Sequence, residues 1–142
     1  MILALFVIHP FIGRSADLNQ LYATDYKVFW KQWNELKEKA LSCKDHAAMS
    51  KFLSNALIML RNAEVSEANA EVIEATCLNK PICLLESLLR MKTEEQDEIL
   101  KFFIAAPIYH DPQEIRKSLE KHWNLQKYRT IKERYQKCKQ TS

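Results

Sequence analysis

The sequence predicts an all-α fold: an irregular antiparallel bundle of about six amphipathic helices, stapled by disulfides. Three observations point there. The 142 residues contain one glycine, Gly13, and glycine supplies the positive φ that tight hairpins, bulges and phosphate loops need. Apolar residues recur at four-and-three spacing along most of the chain, the period of a helix with one buried face. Two segments, at Thr93 and Asp111, carry helix-start chemistry.

The elements follow in order. Tyr22, Tyr26, Phe29, Trp33, Leu36 and Ala40 fall on one face of a long helix over Leu18–Leu41, with Asp17 as its cap and the aromatic stripe read as core. Asp45 caps a second helix whose apolar face is Met49, Phe52, Leu53, Ala56, Leu57 and Leu60. Ser66 opens a third through Val72, Ile73 and Cys77, which Asn79-Lys80-Pro81 ends. Pro81 suits the first turn of a fourth, with Ile82, Leu85, Leu88 and Leu89. Thr93 with Gln96 reads as a capping box ahead of Ile99, Leu100 and Phe103. Ala105–His110 is a loop. Asp111, Pro112 and Glu114 then start the last helical region, which runs to about Cys138, with a kink or break at Asn124.

The length and the composition, 47% apolar and 27% charged, describe one globular domain able to hold a core without a metal. No repeat, linker or low-complexity stretch divides it. GxGxxG and GxxxxGK[ST] are absent, so the sequence carries no cofactor signature.

Ile2–Ile8 is an unbroken apolar run, too short to span a bilayer and suited to the core of a secretory signal peptide. Gly13 and Ser15 provide small residues for cleavage after Ser15, although no Lys or Arg opens the segment. Residues 1–15 are therefore read as a leader and 16–142 as a single helical domain, secreted or periplasmic, with no transmembrane segment in the mature chain. The four cysteines fit that compartment. Of the three connectivities, Cys77–Cys83 with Cys43–Cys138 is favoured: the first closes a turn between helices, the second a long loop.

The net charge of +3 hides a segregation. Ala63–Asn79 holds Glu64, Glu67, Glu71 and Glu74 with no base, and Thr93–Ile99 adds Glu94, Glu95, Asp97 and Glu98. From Gln113 to Ser142 nine basic residues face three acidic ones, a net of +6. Solvated helix faces account for much of this, but a surface of one sign also attracts a partner.

Catalytic readings find little support. Cys43 and His46 lack further ligands for a zinc site. Cys138 with His122, or Cys83 with His110, matches no nucleophile signature. Glu71 with Glu74 and Glu94 with Glu98 have the spacing of ordinary solvated helices. No catalytic residue and no metal site is assigned.

The expected function is binding. A protein partner comes first, for an inhibitor, immunity-type protein or helical signalling protein; carriage of a small apolar ligand between helices comes second. Partner contacts are expected on the loop residues Ile108, Tyr109 and His110, on the acidic third helix at Glu67, Glu71 and Glu74, and on the last helix at Lys127, Arg129, Lys132 and Arg134. The contrasting reading is an intracellular adaptor with free thiols whose basic C-terminal helix meets nucleic acid or an acidic partner. Tyr128 and Tyr135 lie on the apolar stripe, which argues against nucleic acid. An internal cavity above ~300 Å³ would favour the carrier, and a solid core with an exposed acidic or basic patch a protein partner.

Overall fold

A computed structural model describes residues 14–141, with side chains from Leu18 onward. Residues 1–13 of the expected leader therefore lie outside the described residues, whereas the expected cleavage point after Ser15 falls in the first turn of the first helix.

The described chain is all-helical, with no strand among the described residues. Eight α-helices follow one another: α1 (Arg14–Thr24), α2 (Tyr26–Ser42), α3 (His46–Ile58), α4 (Ala63–Asn79), α5 (Pro81–Leu89), α6 (Thr93–Ile99), α7 (Pro112–Trp123) and α8 (Arg129–Gln140). A π-helical turn, Leu100–Ile104, extends α6, and a 3-10 turn, Gln126–Tyr128, precedes α8.

Eight rather than about six helices arise because two expected helices divide. The Leu18–Leu41 helix breaks at Asp25, whose side chain accepts a hydrogen bond from the Val28 N–H (3.2 Å) and caps α2. Asp17, expected as the cap, lies inside α1. Asp competes with helical hydrogen bonding through its own side chain, so it favours a helix start over an interior. The break is concealed in the sequence because the hydrogen-bond ladder nearly spans it: Asp25 N–H reaches Leu21 O and Phe29 N–H reaches Asp25 O. The last region divides at Asn124, where a break was expected.

Asp45 caps α3, Pro81 stands in the first turn of α5, and Asp111 caps α7 with Pro112 at its first position. Two starts differ from expectation. α4 begins at Ala63, where Asn62 accepts from Val65 N–H (3.1 Å), three residues earlier than Ser66 would place it. α6 is capped at Lys92, one residue before Thr93, and its backbone N–H donates to Glu95 (3.3 Å) in place of the Thr93–Gln96 box. Gln96 instead turns inward, its amide donating to the Met91 carbonyl (3.1 Å).

The core centres on α3, α4 and α5. Met49, Phe52, Leu53 and Ala56 are buried on α3, and Cys83, Leu84, Leu85, Ser87 and Leu88 on α5. Leu85 and Leu88 are buried as the pattern predicts, but Ile82 and Leu89, expected on the same face, lie at the surface, 48% and 36% exposed. α7 and α8 close the far side with Ile115, Leu119, Trp123, Ile131 and Tyr135. A second, smaller apolar cluster gathers Phe29, Met59 and Val65 under Leu18, Leu21, Tyr22 and Trp30. Trp33 packs against both clusters.

The cysteine pairing differs from the expected one. Cys43 and Cys83 form the disulfide, Cα atoms 5.9 Å apart, tying the end of α2 to α5. Cys77 and Cys138 stand outside it. Cys77 faces the core from α4, where burial pushes its thiol far up. Cys138 sits on α8 against α6, its Sγ 3.9 Å from the Asp97 carbonyl. Neither Cys77–Cys83 nor Cys43–Cys138 is formed.

Candidate functional site

The expected aromatic core stripe of α2 only partly faces inward. Phe29 and Ala40 are buried, Tyr26 is exposed, and Trp33 and Leu36 are half-buried along the wall of a cleft. The cleft has a volume of about 400 Å³ and runs between α2, α3 and the start of α4, with Leu18 of α1 at one edge. Phe29, Trp33, Leu36, Phe52, Met59 and Val65 make its apolar wall. Gln32, Glu35, Lys39, Lys51 and Asn55 make a polar rim. The ring centroids of Trp33 and Phe52 are 5.8 Å apart, and those of Trp30 and Trp33 are 5.2 Å apart.

One buried polar side chain lines this cleft. Asn69 is 1% exposed. Its Oδ1 accepts a 2.8 Å hydrogen bond from Trp33 Nε1, while its Nδ2 has no partner. The Trp33 bond fixes the orientation of the amide, because an indole nitrogen only donates. A polar residue at 69 sits four positions from Val65 and from Ile73 on the buried stripe of α4. That misfit was the available sequence signal for it.

Two other clefts, of about 310 and 510 Å³, lie along α8. The smaller is walled mostly by polar groups; the larger mixes apolar surface from Phe102 and Cys138 with charged residues, among them Arg134, whose Nη1 lies 2.9 Å from both oxygens of Asp97.

The expected partner-contact residues fall into three situations. Glu74 is not at the surface: its carboxylate is fully buried and belongs to the loop. Oε1 accepts from Ile108 N–H (2.6 Å), and Oε2 accepts from Tyr109 N–H and His110 N–H (both 2.9 Å) and lies 3.0 Å from His110 Nδ1. A carboxylate can be buried when donors surround it, and three converging amides provide them. Its place on the Ala70–Cys77 side of α4 was the signal that it faces inward.

This clasp brings two expected patches together. Ile108 and Tyr109 project from the fastened loop, 60% and 50% exposed, beside the exposed Glu67 and Glu71. The Tyr109 phenol is raised above its ordinary value, first by desolvation, then by Glu67, Glu71 and Glu74.

The basic patch on the last helix is largely internally paired. Lys127 bonds Glu86, which also accepts from the Tyr128 hydroxyl (2.6 Å); Lys127 first, then Tyr128, holds the Glu86 carboxyl below its usual range. Arg129 faces Glu133 (3.4 Å), Lys132 donates to Asn124 (2.6 Å), and Arg134 is held by Asp97.

Cys83 is committed to the disulfide, His110 to Glu74. No three His, Cys, Asp or Glu side chains converge among the described residues. No helix among them is long and apolar enough to cross a membrane. No protein-family model, curated protein or solved structure matches the chain.

Proposed function

We propose that this chain is a non-enzymatic binding protein that holds a small apolar molecule in the cleft between α2, α3 and α4. The observation that carries the reading is the cleft itself: about 400 Å³, apolar walls, and a polar rim. That volume lies within the roughly 300–1,000 Å³ of small-molecule sites, which combine mostly apolar walls with a few placed polar groups. Charge segregation, which favoured a protein partner, carries less weight once Glu74, Lys127 and Arg134 are engaged within the chain.

The test is titration of the full chain with N-phenyl-1-naphthylamine, a neutral apolar fluorophore. Saturable binding with a micromolar Kd is expected. Leu36→Trp, which fills the cleft from its wall, should weaken binding at least tenfold while far-UV circular dichroism stays unchanged. Absence of saturable binding, or equal binding by the filled variant, overturns the reading.

The same reading places the protein outside the reducing cytosol. It is supported by the Cys43–Cys83 disulfide, since such bonds persist in oxidising compartments. The intact mass of protein from its native host should fall two hydrogens below the fully reduced value, with Met1–Ser15 removed. Thiols at both Cys43 and Cys83, with that segment retained, would place it in the cytosol.

A further inference from the structure

We infer that the molecule held in the cleft is an anionic amphiphile of fatty-acid type, its chain lying between α2 and α3 and its carboxylate held at the rim by Lys39 and Lys51. This rests on the small-molecule reading of the cleft and names the chemistry of its occupant.

The cleft has a charged end and an apolar end. α2 and α3 follow one another across the Cys43–Asp45 turn and pack together. Phe29 shares an apolar cluster with Met59, and the ring centroids of Trp33 and Phe52 lie 5.8 Å apart, so the two helices run antiparallel along the cleft. Lys39 and Lys51 therefore stand at the end nearest the turn. Phe29, Met59 and Val65 stand at the other, with Leu18 packed against them. Along α2 the run from Phe29 to Lys39 covers ~15 Å at the rise of a helix, which an extended alkyl chain of medium length spans.

The charges decide the headgroup. Lys39, Lys51 and Glu35 are the charged residues that line the cleft, two bases against one acid. The six ion pairs among the described residues use none of the three. Both lysines are exposed, so an anion meets them at the water boundary and escapes the cost of burying an ion. Their long stems let both ammoniums reach one headgroup. The chain behind that headgroup removes apolar area from water along the wall. Each half of such a ligand meets the half of the cleft that suits it. A cationic head would be repelled at the rim, and a neutral one would leave the lysines unused.

The experiment displaces N-phenyl-1-naphthylamine from the full chain at neutral pH with decanoate, 1-decanol and decyltrimethylammonium, which share one alkyl chain and differ in the charge of the head. Decanoate should bind roughly three- to tenfold tighter than decanol, the yield of two exposed ion pairs, and decyltrimethylammonium should bind weakest. In the double variant Lys39→Gln with Lys51→Gln, which leaves the apolar wall intact, decanoate should lose its advantage while decanol shifts by less than about twofold. In the parent chain that advantage should shrink as salt rises from ~20 to ~300 mM, because exposed ion pairs are screened. If the dye binds but the three ligands compete equally, or the double variant keeps the decanoate preference, the inference fails while the cleft reading stands. Decyltrimethylammonium as the tightest ligand would assign the rim to Glu35 and also overturn the inference. Absence of saturable dye binding removes the cleft reading and the inference with it. Should the double variant not fold, the order of ligands on the parent chain and its salt dependence still decide.

Discussion

Asn69 and Glu74 lie five positions apart on α4, and each puts a polar group where helix packing calls for an apolar one. Their situations differ. Glu74 is satisfied by three backbone amides and lies beside the His110 ring, whereas Asn69 is satisfied at one end only. Replacing Glu74 with Gln keeps one acceptor oxygen but turns an N–H₂ toward donors and removes the charge. Since hydrogen bonds to a charged group are worth about 1.5–3 kcal/mol each, Glu74→Gln should destabilise the fold by about 3 kcal/mol in urea titration. Amide exchange at Ile108, Tyr109 and His110 should accelerate with it. An unchanged midpoint would mean that the clasp contributes nothing net. Both residues could be flagged from the sequence as polar intrusions on an apolar stripe. Their partners could not, because Trp33 is 36 positions away and the loop 34 to 36, and spacing rules reach only along one helix.

Cys43 connects the residue to the element. It terminates α2 in the left-handed region, at φ 53°, a place where helices usually put glycine. A chain with one glycine uses a cysteine there and ties it to α5. The closed loop spans 40 positions, for which the chain-entropy account gives about 4 kcal/mol. The double variant Cys43→Ser with Cys83→Ser should therefore lose a few kcal/mol, up to that value, by chemical denaturation; a loss under ~1 kcal/mol would show that α2 is held by packing alone. Sequence reasoning could not reach this pairing. Three connectivities are equivalent on paper, and only the burial of Cys77 and the placement of Cys138 against α6 decide between them. Helix boundaries were legible wherever a cap or proline gave a chemical reason: Asp45, Pro81, Asp111. They were obscured where periodicity continued through a break, as at Asp25, or where a neighbouring residue took the cap, as Lys92 does. The π-helical turn has no counterpart in the pattern: Ala105 N–H reaches back to Leu100 O (2.8 Å), and the altered winding leaves Phe102 outside while Phe103 and Ile104 go in.

At the scale of the molecule, charges separated in sequence meet in space. Glu86 of α5, outside both acidic segments, takes Lys127, and Asp97 of α6 takes Arg134 of α8, so the basic segment is partly neutralised while Glu67 and Glu71 stay exposed. Exposed pairs of this kind contribute little stability, about 0–1 kcal/mol each; their effect here is to remove charge from the outer face. The cleft was invisible in the sequence for a related reason. A stripe of aromatics looks the same whether its helix packs against a neighbour along its whole length or stands off from it over one stretch.

That gap coincides with the seam between the two apolar clusters, with Trp33 the side chain common to both. A molecule lodged there would supply the interior that the chain itself leaves out. The smaller cluster, with α1 resting on it, has few neighbours of its own, and regions of that sort open independently of the rest. Filling the seam would fuse two cooperative units into one, so an occupant would stiffen α1 as well as the helices it touches.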